Sequence, residues 1–211
     1  MPVFTLFGQP AGFSTLTADN ANYVMGVQFT TSQAGTLTAI WWFSPPGAGA
    51  LPGTIDLWQV SGASLVASQV ASWSGAAGSG WVRAPFTSPP ALTPGTAYKA
   101  AIFKNDGAVA SFYGSIANYW SSGAGSGGIT SGPLTAPNNG GGDGGQDTFN
   151  ASNANAYPAT SFNATNYGVD PEVTTQASPA QSPIPADQAT ASGGDLYAAT
   201  WQRYPIRRYG T

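Results

Sequence analysis

The chain has 211 residues, enough for one domain with an appendage, and its 42% hydrophobic and 12% aromatic content suffices to build a core. Charged residues make up only 7% against 28 glycines and 17 prolines, so solubility rests on Ser, Thr, Asn, Gln and exposed backbone, as in extracellular or particle-borne β-proteins. Cysteine and histidine are absent and the residues before Arg203 carry three basic against nine acidic groups, which excludes disulfides, thiolate nucleophiles, the usual zinc sites, imidazole catalysis and a nucleic-acid groove.

No apolar run approaches the length that spans a bilayer, so no membrane insertion is expected. The start, Met1 to Gly8, has neither the charged nor the continuous apolar stretch of a secretory leader. That leaves two routes to an exterior setting: a trimmed leader, or assembly into a virus particle before lysis. The second is the expectation favoured by Met1.

Short alternating runs separated by turn chemistry predict strands along the chain. They are Thr5 to Phe7, Tyr23 to Thr30, Gly35 to Phe43, Thr54 to Val60, Ser64 to Ala71, Gly80 to Phe86, Ala97 to Lys104 and Ala108 to Tyr113. An Asp-Gly hairpin turn at Asp106-Gly107 is expected to join the last two. In the third run Leu37, Ala39, Trp41 and Phe43 make a continuous apolar face, so one tryptophan of the Trp41-Trp42 pair should be core and the other half exposed. In the fourth, Asp56 and Trp58 share a face. No stretch up to Val173 carries a sustained helical stripe.

Ser121 to Gln146 is Gly-, Ser- and Asn-rich and reads as a long loop over one end of the sheets. A final strand, Tyr167 to Val173, follows. Thr174 to Gly194 is a linker of Pro, Ala, Ser and Gln that spans roughly 25 Å as a coil and more than twice that when extended. The division expected is therefore a domain over 1–173, a linker over 174–194 and a docking peptide over 195–211. The fold class expected is all-β: an antiparallel β-sandwich of jelly-roll or immunoglobulin-like type.

The peptide after the linker is too short to fold alone yet rich in interface-forming residues. Leu196, Tyr197, Trp201, Tyr204 and Ile206 would anchor it in a partner's groove, and Arg203, Arg207 and Arg208 would pair with acidic rim residues. If Leu196 to Tyr204 is helical, Tyr197, Trp201 and Tyr204 fall on one face, and Pro205 ends the helix.

Candidate chemistry elsewhere is sparse. Asp56 and Asp170 invite comparison with a glycosidase pair, but isolated structural carboxylates are the expectation, and no catalysis is expected. Asp143 and Asp147, with Asn138 and Asn139, offer hard oxygen donors in a spacing that fits no ordered calcium loop; no metal and no cofactor are expected. Asn150 and Asn163 open formal glycosylation triplets that read as turn residues. Sugar binding is the sharper expectation, because Tyr113, Tyr119 and Trp120 sit at a strand-to-loop edge beside Asn118, with Trp42 and Trp73 in second line.

Several phrases carry a family likeness. They are Thr5 to Ala11, Met25 to Thr30, Ala34 to Trp41, Gly53 to Trp58, Gly80 to Pro89, Leu92 to Tyr98 and Phe162 to Asp170. In this order they resemble a family of bacterial extracellular β-sandwich domains known only as a domain of unknown function, seen also in phage proteins. The resemblance implies a single antiparallel sandwich in a glycan-associated or particle-borne setting, and it implies no site. With the linker and aromatic-basic tail, the functional expectation is a non-enzymatic phage virion protein, a minor tail or head decoration component. It would be fastened to other virion proteins through its tail, homo-oligomeric in the particle, and able to touch host surface glycan. The alternative is a secreted carbohydrate-binding module.

Overall fold

A computed structural model describes residues 1–17, 21–105, 112–138 and 146–176. Their strands are β1 (Val3–Thr5), β2 (Ser14–Thr17), β3 (Tyr23–Thr31), β4 (Gly35–Ser44), β5 (Thr54–Gln59), β6 (Ser64–Val70) and β7 (Gly80–Pro85), then β8 (Ala91–Leu92), β9 (Tyr98–Lys104), β10 (Phe112–Ser115), β11 (Ile129–Ser131), β12 (Leu134–Ala136), β13 (Asp147–Ala151) and β14 (Val169–Thr175). The one helical element among them is a single 3-10 turn at Ser61–Ala63. The chain divides into two units, Met1–Ala177 and Ser178–Thr211. The second lies outside the described residues, as do the expected docking residues Leu196 to Arg208 and the Asp106-Gly107 turn.

The strands form the expected all-β sandwich. One sheet runs β1-β14-β4-β7 with β8 also on β4; the other runs β11-β12-β3-β9-β5-β6 with β13 also on β3; β10 and β2 make a separate ribbon. All pairings are antiparallel. Between the sheets a single apolar cluster takes Leu37, Ile40, Trp42, Val82 and Val169 from one side and Val27, Phe29, Ile55, Leu57 and Ile102 from the other. Each of these ten is 0% exposed, and burial of such side chains contributes roughly 1.5–3 kcal/mol apiece.

The alternation in β4 is broken by a bulge. Ala39 lies opposite Glu172 and Leu37 opposite Val173, so Thr38 is an extra residue and the strand changes phase there. Leu37 is buried below the bulge, and Ile40 and Trp42 are buried above it. The expected apolar face through Trp41 and Phe43 is thus corrected: Trp42 is the core tryptophan, and half-buried Trp41 faces outward, its Nε1 donating to Glu172 at 3.0 Å.

Continuous burial along β5 has another cause. Ile55 and Leu57 face the core, while Asp56 and Trp58 face the opposite side of the sheet, where Val24, Trp58, Ala101 and Phe103 form a second cluster with Tyr157 against it. Lys99 is 0% exposed there; its Nζ donates to the Pro158 carbonyl at 2.8 Å and stands 4.5 Å from the centre of the Tyr157 ring. A buried ammonium held by a carbonyl and a ring face keeps its charge compensated.

The segment expected to be loop throughout, Ser121 to Gln146, contains the β11–β12 hairpin, and β13 begins directly after it. β12 pairs with Thr30 and Thr31 of β3, and β13 pairs with Tyr23 to Val27 on the same strand.

Candidate functional site

Tyr23 and Met25 stand two apart on β3 and therefore share a face. β13 lies antiparallel beside them with Phe149 opposite Met25. Tyr113 comes from β10, and Tyr167 precedes β14. The four rings close a circuit: Tyr23 to Phe149 at 6.0 Å, Phe149 to Tyr167 at 6.0 Å, Tyr167 to Tyr113 at 6.0 Å and Tyr113 to Tyr23 at 5.8 Å between centroids. All four contacts are tilted or edge-on, the arrangement that ring quadrupoles prefer. With Met25 and Phe162 the rings line a pocket of about 290 Å³ that carries no charged side chain.

Phe162 is 61% exposed, and its position is set by an unusual turn. The Thr165 N–H donates to the Phe162 carbonyl at 3.1 Å, and both residues between have positive φ, Asn163 at 50° and Ala164 at 45°. Asparagine tolerates that region; alanine adopts it at a cost. The surroundings enforce it, because the Asn163 and Ala164 carbonyls accept from the N–H groups of Asn118 and Trp120, at 2.9 and 3.0 Å. Asn118 itself has φ 56°. Strained residues held this way recur where a side chain must be presented to a ligand.

Beside this open quartet stands a closed trio. Phe7, Tyr119 and Trp120 meet edge-on, with centroids 5.8, 5.7 and 5.1 Å apart. Trp120 Nε1 donates to Asp147 at 3.2 Å. Asp170 accepts from the backbone N–H groups of Leu6, Phe7 and Gln9 at 2.8, 3.1 and 3.4 Å, which pins Phe7 over the pair. Burial pushes the Asp147 carboxyl well above its usual range, against the opposing pull of the Trp120 N–H. Burial also raises Asp170, to about 6, although four backbone N–H groups favour its charged form. Burial, with Asp147 nearby, raises the Tyr167 hydroxyl, so it stays a neutral phenol able to donate.

Glu172, two residues after Asp170, behaves oppositely. It accepts from Arg83 Nε at 2.9 Å and from an Arg83 terminal nitrogen at 2.6 Å, a bidentate pair that holds its pKa down.

The expected glycan-binding residues are dispersed. Tyr113 lines the pocket, and exposed Asn118 clamps the turn that carries Phe162. Trp120 at 1% exposure and Tyr119 at 6% are packed in the trio, while Trp42 is 0% exposed and packs against Trp73 at 6.3 Å. Closely packed neighbours occupy the Tyr119, Trp120 and Trp42 rings, whereas Tyr113 belongs to the open circuit with Tyr23, Phe149 and Tyr167. Asp56 accepts from Thr54 and Asn155 on one sheet, and Asp170 caps a turn beside the other. Asp147 is a core residue rather than a loop ligand, Asn138 donates to the Ser126 carbonyl, and Asn139 and Asp143 lie outside the described residues. Among the described residues no group of three or more acidic side chains is placed to hold a metal ion. Asn163 is the turn residue expected, whereas Asn150 is in β13 and donates to the Tyr157 carbonyl.

Tyr23, Met25, Phe149, Phe162 and Tyr167 are the lining residues that sequence reasoning missed. The signal available for Phe162 was its place before Asn-Ala-Thr, where an asparagine favours a turn with positive φ.

No curated protein matches the chain. Residues 9–169 match the model of a family described as a domain of unknown function, DUF4082, a span that includes every strand but β1 and all but the first residue of β14, together with the whole pocket. The chain therefore belongs to the DUF4082 family.

Proposed function

We propose that this domain is a non-enzymatic recognition module whose aromatic pocket receives a sugar ring of a surface glycan. The observation that carries the reading is the uncharged pocket of about 290 Å³ walled by Tyr23, Tyr113, Phe149, Tyr167 and Phe162. Ring faces suit the C–H surface of a pyranose, and three tyrosines supply hydroxyls for its polar edge. A non-catalytic role agrees with the absence of His and Cys and with the commitment of Asp56, Asp147, Asp170 and Glu172 to structural partners.

For the carrier, we propose a phage particle, with the domain as a minor tail or head decoration component fastened through the peptide after residue 194. What supports this is the sequence of that peptide, with Leu196, Tyr197, Trp201, Tyr204 and Ile206 beside three arginines. A secreted carbohydrate-binding module would use the same pocket on a different carrier. A glycan array followed by calorimetry on the full chain tests the pocket: binding of a neutral pyranose is expected, weakened about tenfold or more in Phe162→Ala and Tyr113→Ala and kept in Trp73→Phe. Unweakened binding in both pocket variants would refute the site. Mass spectrometry of purified particles and of culture fluid separates the two carriers, since fixed stoichiometry in a particle is expected only for the first.

A further inference from the structure

The free edges of the two main sheets are unequal. β1 and β11 have three residues each and β8 has two. β7 is bridged by Ser74, whose N–H donates to the Arg83 carbonyl at 2.8 Å, and β13 exchanges two backbone hydrogen bonds with Thr160. β6 differs from all of these. It has seven residues, pairs among the described residues with β5 alone, and leaves Leu65, Val66 and Val70 exposed at 48, 44 and 80%. Proteins ordinarily blunt such an edge with lysine, proline, a bulge or a cover; β6 has a bulge at Val66, between the pairs Leu57–Ala67 and Trp58–Leu65, but Ser64–Val70 contains neither a charge nor a proline, and Ala67 to Val70 is regular.

The register says which groups point outward. The Ala71 N–H donates to the Gly53 carbonyl, and hydrogen-bonded positions alternate along an antiparallel pair, so Ala67 and Gln69 bond to β5 while Ser68 and Val70 turn their N–H and C=O groups to the free side. Next to them runs a groove of about 460 Å³ between Val66–Gln69 and Phe86–Pro90, also without a charged residue.

We propose that β6 is a self-association edge, occupied by β6 of a second copy running antiparallel about a two-fold axis at Ser68. That register places Val66 of each copy opposite Val70 of the other, so the exposed valines cover one another, and the outward backbone groups of Ser68 bond to those of their counterpart at the axis. An uncharged edge favours this occupant: the chain carries a net charge of −3, and a copy of β6 brings no like charge to the contact.

Sedimentation equilibrium on the full chain tests it, with hydrogen exchange followed across 64–70. A reversible dimer is expected, with protection of Ser68 rising with concentration. Val70→Lys and Val70→Pro should each weaken it about tenfold or more, since a loss of about 1.4 kcal/mol is tenfold. At concentrations too low for the dimer to form, both should leave the melting temperature unchanged, because proline is tolerated where the N–H faces outward and the Val70 side chain is 80% exposed. If Val70→Pro lowers the melting temperature, Val70→Lys decides. A chain monomeric at all concentrations, or a dimer indifferent to both variants, would overturn the proposal, the former leaving the edge to a foreign extended segment.

Discussion

The trio of Phe7, Tyr119 and Trp120 and the quartet of Tyr23, Tyr113, Phe149 and Tyr167 use similar rings at similar spacings, yet one is closed and the other open. What separates them is the backbone that covers them. Over the trio, Asp170 gathers the Leu6–Gln9 turn by its N–H groups and sets Phe7 as a lid. Over the quartet the covering side chain is Phe162, held on a turn whose φ angles keep it at the rim. Aromatic content alone therefore does not make a site; a buried carboxylate or a strained turn decides whether the rings are core or wall.

Breaking the closed region should cost most. Trp120→Ala is expected to destabilise the fold by about 3–5 kcal/mol through lost burial and the lost hydrogen bond to Asp147, measured by urea unfolding. A cost below about 1 kcal/mol would contradict its placement in the core. Trp120 substitutions are accordingly tests of folding and not of ligand binding.

Proton linkage reads the same region. Asp170 is raised from 3.8 unfolded to about 6 folded, so its contribution is fully present below pH 3.8 and is lost as pH rises through 6, a swing on the order of 3 kcal/mol. Asp147 and Asp56, both raised by burial, act in the same direction. Glu172, lowered by Arg83, acts oppositely: its contribution is present above pH 4.5 and lost as pH falls through its depressed value. The melting temperature should thus be highest at or just below about pH 4 and decline towards neutrality. In Asp170→Asn the decline between pH 4 and 6 should shrink; an unchanged slope would assign the titration elsewhere.

In the open region the effects move from stability to affinity. Phe162→Ala should weaken pyranose binding about tenfold while changing stability by no more than about 0.5 kcal/mol, by calorimetry and urea unfolding. The smallest effect sharpens the strain argument: Ala164→Gly should stabilise the domain by about 0.5–1 kcal/mol, because glycine accepts φ 45° without a Cβ clash.

The sandwich was legible because its longer strands alternate and are punctuated by Gly, Pro, Asn and Ser. The bulge at Thr38 was not, since a single extra residue leaves no mark on composition, and it moved the core position from Trp41 to Trp42. The β11–β12 hairpin and β13 were hidden for a different reason. Their three- and five-residue runs have little strand character of their own and exist by pairing along β3. Of the pocket, Tyr113 was legible as an aromatic at a strand-to-loop edge. Tyr23, Phe149 and Tyr167 became a circuit only through the register that brings β3 and β13 together near β10 and the start of β14.

The pairing of Val3 with Thr174 and of β14 with β4 has a consequence for how the domain is born. β14, the last strand among the described residues, is an interior member of its sheet, so nothing before it can complete the five-stranded layer during synthesis. The nascent chain must hold more than 160 residues of β-prone sequence without that closure, and folding dominated by such distant pairings is slow, on the order of milliseconds to seconds.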